Sequence, residues 1–197
     1  MMSATRKTGD NIVMTPTERE TILRQLAESR QRLLQVTQGL SPEQLHFRSA
    51  PDRWTVAENI EHLTFVEGRV MGFIQKTLTE GPSPSKRSAI EGQDAAFAKR
   101  VAAREDRFQA PEAVRPCGRW TDDQLLKEFE ATRQRTHEFV RTTDADLRAH
   151  FFTHGRFGDL DLYQWLLLIA GHCDRHRAQS EEVIASAGYP KSSAAAS

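Results

Sequence analysis

Cysteine is nearly missing: the 197 residues include only Cys117 and Cys173. Two cysteines cannot staple a disulfide scaffold, and they suit a reducing, cytoplasmic setting. The opening stretch MMSATRKTGD has charge but no apolar region behind it, so no secretory signal is expected there. Net charge is also missing, with 27 basic against 27 acidic residues mixed along the chain. That excludes the basic stripe that nucleic-acid binding needs. Long hydrophobic runs are lacking. The longest, WLLLIA at Trp165–Ala170, falls far short of the ~18 residues of a membrane span. No period-two stretch bounded by hairpin signals occurs, so no sheet is required. Repeats and low-complexity blocks are lacking as well. What is left is the profile of one soluble domain, 38% hydrophobic and 27% charged, long enough for a sizeable core.

Four segments carry apolar residues at helical spacing. The first follows Thr17, which forms a capping box with Glu20. Its stripe is Ile22, Leu23, Leu26, Leu33, Leu34 and Thr37, and Gly39 and Pro42 end it. The second starts at the Thr55–Glu58 box, runs through Val56, Ile60, Leu63, Val66, Val70, Phe73 and Ile74, and stops at Gly81-Pro82. The third starts at the Thr121–Gln124 box and lines its inner face with Leu125, Phe129, Thr132, Thr136, Phe139 and Val140. The fourth starts at Asp159 or Asp161 and ends at AGYP. Its stripe is Leu162, Trp165, Leu166, Ile169, Cys173, Val183, Ile184 and Ala187. Each helix spans roughly 20–27 residues, or ~30–40 Å. The piece from Gly81 to Arg119 is too long for a bare loop, and QDAAFAKRVAARED inside it reads as a short extra helix. The expectation is all-α: a four-helix bundle over 15–190 with one long crossover between helices two and three. Residues 1–14 and 191–197 are expected to be disordered.

The stretch GHCDRHRAQ places His172 and His176 four residues apart on the last helix. On a helix such residues lie ~6 Å apart along the axis and on one side, so two imidazoles can converge on one ion. His176 lies within the apolar stripe and His172 at its edge. His62, in ENIEHLTFVE, lies one step outside the apolar arc of the second helix. Three neutral imidazoles make an open site, the arrangement of catalytic rather than structural zinc. The spacing by itself does not separate a ligand pair from two histidines that share a helix. It is not the zincin pattern, because Cys173 stands where that motif needs Glu as general base.

Two longer stretches carry a resemblance. DRWTVAENIEHLTFVEGRV resembles the tryptophan-to-histidine signature of the DinB/YfiT-like superfamily. GDLDLYQWLLLIAGHCDRHRAQSEEVI resembles its last-helix signature, a histidine pair followed by Gln, and RPCGRWTDDQL resembles the lead-in to its third helix. The similarity runs from about Thr17 to Tyr189. It implies a four-helix bundle in which His62, His172 and His176 bind a divalent metal. Nickel, zinc and manganese occur in the family, and three imidazoles suit zinc, nickel or iron. It also implies action on a small molecule, either transfer of a low-molecular-weight thiol (bacillithiol, mycothiol or glutathione) or hydrolysis, and often a homodimer. A non-catalytic, stress-related metal-binding bundle is the alternative.

Other residues have plainer readings beside functional ones. Glu58 could orient His62 or act as a base, though its capping box already explains it. Arg30 interrupts the first stripe and either snorkels to water or meets an anionic cosubstrate. Gln179, one turn beyond His176, could hydrogen-bond behind it. Cys173 reads as a small apolar residue, and Trp54 and Trp165 as packing residues. His150 and His154 fall in a loop before the last helix, and His46 and His137 at the surface.

Overall fold

The computed structural model describes residues 14–103 and 110–191. The tails expected to be disordered lie outside the described residues, except Met14, which is buried in the core, and Lys191. Four long helices form the bundle: α1 (Pro16–Thr37), α3 (Val56–Leu78), α5 (Asp122–Thr142) and α6 (Leu162–Ile184). A one-turn helix, α2 (Pro42–Leu45), follows α1, and α4 (Asp94–Ala102) lies in the crossover between α3 and α5. Both α1 and α3 pack against α5 and α6, so they sit across the bundle from each other, while α4 lies along α6. Helices two and three of the bundle are therefore neighbours despite the long connection. No helix is long and apolar enough to cross a membrane, among the described residues.

Capping chemistry sets most of the helix starts. Thr55 Oγ1 accepts the Glu58 N–H at 3.1 Å, and Glu58 Oε2 accepts the Thr55 N–H at 2.8 Å. In α5, Gln124 Oε1 accepts the Thr121 N–H at 3.1 Å. The first box is two residues earlier than the sequence suggested: Thr15 and Glu18 form it, not Thr17 and Glu20. Pro16 is the reason, since its fixed φ and missing N–H suit the first helical position. Asp161, not Asp159, caps α6 by accepting the Gln164 N–H at 2.7 Å. The last helix also ends before AGYP, at Ile184, so Ala187 is exposed beyond its end.

Two further expectations are corrected. Residues 151–161 are not a loop: Phe151–His154 (β1) and Gly158–Asp161 (β2) pair antiparallel. The alternation is too short to stand out in sequence, and the hairpin is held by tertiary packing, with Phe152 stacked on Trp165 at 3.8 Å. Phe73, assigned to the inner stripe of α3, is 43% exposed and rests against Phe152. The short crossover helix is present as α4, with 104–106 of its expected extent outside the described residues.

The interior has two apolar clusters with a polar layer between them. One gathers Ile22, Leu26, Val70, Ile74, Val140 and Leu166, the other Leu33, Ile60, Leu63, Phe129, Cys173 and Val183. Between them lie Ser29, Glu67 and Arg133, all buried. Arg133 donates from Nε to Glu67 Oε1 at 3.0 Å, from Nη2 to Glu67 Oε2 at 2.9 Å, and from Nη1 to Leu26 O and Ser29 Oγ. Leu162–Ala170 is buried on every side, as expected of a helix apolar all round. Gly171 then lets α4 approach: a Cβ there would lie 2.7 Å from Val101 Cγ1. That close contact immediately precedes the first histidine of α6.

Candidate metal centre

His62 projects from the first third of α3, and His172 and His176 from α6, which packs against it. Their rings converge. His172 Nε2 lies 3.3 Å from His62 Nε2 and 3.1 Å from His176 Nε2. One ligand atom from each histidine falls within 4.8 Å of the others.

The remaining ring nitrogens set the tautomers. His62 Nδ1 lies 2.7 Å from the Val114 carbonyl oxygen, an acceptor only, so Nδ1 holds the proton. His176 Nδ1 lies 2.8 Å from Asn59 Oδ1. The Asn59 amide is oriented because its Nδ2 donates to Thr55 O at 2.9 Å, leaving Oδ1 as acceptor toward His176. Both Nε2 atoms therefore carry lone pairs aimed at the same place. Lone pairs this close repel unless a proton or a cation lies among them, and a single Nε2–H on His172 could serve only one contact. A tetrahedral ion with bonds of about 2.0–2.1 Å holds its ligand atoms ~3.3–3.4 Å apart. The observed contacts are close to that spacing, so the residues present fit a divalent ion.

Electrostatics favours the neutral rings that ligation requires. Burial pushes His62 below the ordinary histidine range, more than its bond to Val114 raises it. Burial, the other ring nitrogens and the Arg175 guanidinium hold His172 and His176 well below that range, with Gln179 weakly opposing at His176. Trp54 walls one side, its indole stacked on His176 at 5.7 Å between centroids and tilted over His62 at 4.8 Å. It packs, as expected, but against the histidines themselves.

Most of the other candidates lie elsewhere. Glu58 is spent on its capping box and an ion pair with Arg48. Arg30 pairs with Glu130 of α5 at the surface. Gln179 alone among them stays beside the site, half-buried one turn beyond His176 and acting on that ring through its side chain. His150 Nδ1 bonds Asp146 O, and His154 Nδ1 accepts the Arg156 and Phe157 N–H groups in the hairpin turn. His46 is exposed and pairs with Asp122, and His137 is half-buried.

Sequence reasoning missed Asn59, Val114 and Glu61. Asn59 was findable, as a polar residue on the buried arc of α3 one turn before His62. The Val114 carbonyl is main chain and leaves no side-chain signal.

Cys173 is buried at the end of the second apolar cluster, and burial pushes its thiol up to about 11. Cys117 is exposed. A disulfide reagent such as Ellman's is expected to titrate one fast thiol per native chain and two after denaturation. Two fast thiols in the native state would contradict this placement.

An all-α bundle with three imidazoles converging from two packed helices defines a class of helical-bundle proteins built around a three-histidine cluster. Residues 25–180 match the DinB superfamily model, and the chain belongs to that superfamily. YuaE of Bacillus subtilis (strain 168), an uncharacterised protein, is 23% identical over 146 residues, 74% of this chain and 86% of YuaE. The solved structure of YfiT from Bacillus subtilis is similar at a TM-score of 0.59 and 17% identity, over 92% of this chain and 91% of YfiT. YfiT is described as "a probable metal-dependent hydrolase with an unusual four-helix bundle topology"; at this identity the likeness establishes the fold.

Proposed function

We propose that this protein is a divalent-metal-dependent enzyme acting on a small molecule, with His62, His172 and His176 as the ligands. The observation that carries the reading is the convergence of three Nε2 atoms, two of them fixed as lone-pair donors by Asn59 and Val114. Zinc, nickel, manganese and iron all belong to the candidate set, with imidazole donors favouring the first two and iron over manganese. Three protein ligands leave room for a further one, and an ion held there supplies Lewis acidity toward a bound thiol, water or carbonyl.

The protein's own residues favour the thiol. Glu61, next to His62, is tied to Arg119, and Glu67, beside His172, is tied to Arg133. Among the described residues neither flanking carboxylate is placed to take a proton from water. A thiol with pKa near 8.5 needs little help to ionise, whereas water starts near 15.7. The reaction proposed is transfer of a low-molecular-weight thiol onto a small electrophile, with the thiol supplied by the cosubstrate because Cys173 is buried and protonated. The second reading is hydrolysis of a small substrate, which the likeness to YfiT favours.

The test pairs metal content with turnover. Purified protein is expected to hold about one divalent ion per chain, and to consume a general electrophile only when bacillithiol, mycothiol or glutathione is added. Turnover of ester substrates without thiol would replace the transfer reading by hydrolysis. Thiol turnover that survives chelation would remove the metal from it.

A further inference from the structure

We propose that Glu61 is a positioning residue for the histidine site, acting through a strap of chain at 114–119 that sets the ring of His62. The proposal rests on the metal-site reading above and adds a component to it. Adjacent helical side chains diverge by about 100°, so where His62 faces α6, Glu61 faces the strap that crosses α3. Glu61 is 3% exposed. Its carboxylate accepts three successive main-chain N–H groups, from Cys117 at 2.8 Å, Gly118 at 2.9 Å and Arg119 at 3.3 Å. Three consecutive donors aim at one anion only where the backbone folds into a nest, and Gly118, at φ +74°, supplies the left-handed residue.

Arg119 completes the clamp. Its Nη1 donates to Glu61 Oε1 at 2.7 Å and to Arg115 O at 3.0 Å, and its guanidinium lies 3.9 Å over the Phe65 ring, one turn along α3. The strap is thus pinned at 115 and at 117–119. Val114, the residue just before, presents its carbonyl to His62 Nδ1.

The consequence follows from imidazole geometry. A histidine ring can rotate by half a turn, which puts a ring carbon where each nitrogen stood, and either nitrogen can hold the proton. The carbonyl on Nδ1 selects the orientation and tautomer in which the Nε2 lone pair points to His172. Partners of this kind behind a ligand are worth 10–100-fold in metal affinity. Here the partner is main chain on a connection, and what places the connection is Glu61.

The experiment has a metal-free arm and a metal arm. In metal-free protein, nitrogen NMR of the histidine rings reports the tautomer. Wild type is expected to show His62 protonated at Nδ1, and Glu61→Gln a mixture of tautomers. In the metal arm, cobalt(II) is titrated by its visible absorption. Glu61→Gln is expected to bind it 10–100-fold more weakly than wild type. In a His62→Ala background, Glu61→Gln is expected to change cobalt affinity less than about twofold, because its route to the ion has been removed. Gly118→Ala, strained at its positive φ, is expected to reproduce both effects with the carboxylate intact. Val140→Ala, a cavity in the far apolar cluster, is expected to lower stability and leave cobalt affinity unchanged.

An unaltered His62 tautomer in Glu61→Gln overturns the proposal, as does an equal loss of affinity with and without His62. Wild type that binds no cobalt, zinc or nickel overturns the metal reading instead, and the tautomer result then decides by itself whether Glu61 positions His62.

Discussion

His172→Ala is expected to cut divalent-metal affinity by roughly a hundredfold or more while helical circular dichroism stays at the wild-type level. Four-ligand zinc sites bind with ~10–16 kcal/mol, so one imidazole carries on the order of 3 kcal/mol. His172 is the hinge of the site, since its Nε2 touches both other Nε2 atoms. The folded chain itself does not need the ring. Its loss relieves crowding between lone pairs and removes one neutral imidazole held against its solvation, so metal-free stability should move by less than about 1 kcal/mol. Thermal unfolding with and without metal separates the two effects. An ion at a hundred times its dissociation constant stabilises the native state by ~2.7 kcal/mol. That increment should be present in wild type and missing in the variant. Stoichiometric metal at wild-type affinity in His172→Ala would remove the three-histidine assignment.

The largest loss of stability is expected at Arg133→Met. Arg133 and Glu67 are each 3% exposed at the side chain and lie between the two apolar clusters. Burial disfavours the guanidinium's charge, and Glu67 more than offsets it, so Arg133 stays protonated. Removing one member leaves the Glu67 carboxylate buried without its cation, which costs about 3–5 kcal/mol. Two neutral acceptors, Leu26 O and Ser29 Oγ, also lose one hydrogen bond each. The double replacement Glu67→Leu with Arg133→Met should recover most of the deficit, since no charge is then stranded. A remainder of about 1–2 kcal/mol would reflect the two lost hydrogen bonds, with Ser29 Oγ still donating to Leu26 O. Urea unfolding of the two single variants and the double closes the cycle. A loss below about 1 kcal/mol in Arg133→Met would mean that the pair does not organise this layer.

The polar layer also marks where reading along the chain stopped. Apolar spacing picked out Phe129, Thr132, Thr136 and Val140 correctly, yet Arg133 shares their face and is as buried as they are. A long cation on an inner stripe reads as a snorkelling side chain unless its partner is known, and Glu67 is far away in sequence on another helix. Arg30 shows the converse. It interrupts a stripe in the same way and does reach the surface, where it meets Glu130.

Local chemistry was sufficient for most of what is local, although the first capping box sits at Thr15 and Glu18 and not at Thr17 and Glu20. Threonine–glutamate and threonine–glutamine boxes start helices because both partners lie within one turn. Stripes mark inner faces because the helical period repeats within the segment. The pair His172 and His176 faces one way because four residues make about one turn. His62 could be placed beside a core, but not against that pair, until α3 packed on α6. The Val114 carbonyl, the meeting of Asn59 with His176 and the Glu61 clamp were decided by tertiary structure alone. Each depends on distances between segments far apart in the chain, which side-chain periodicity does not encode.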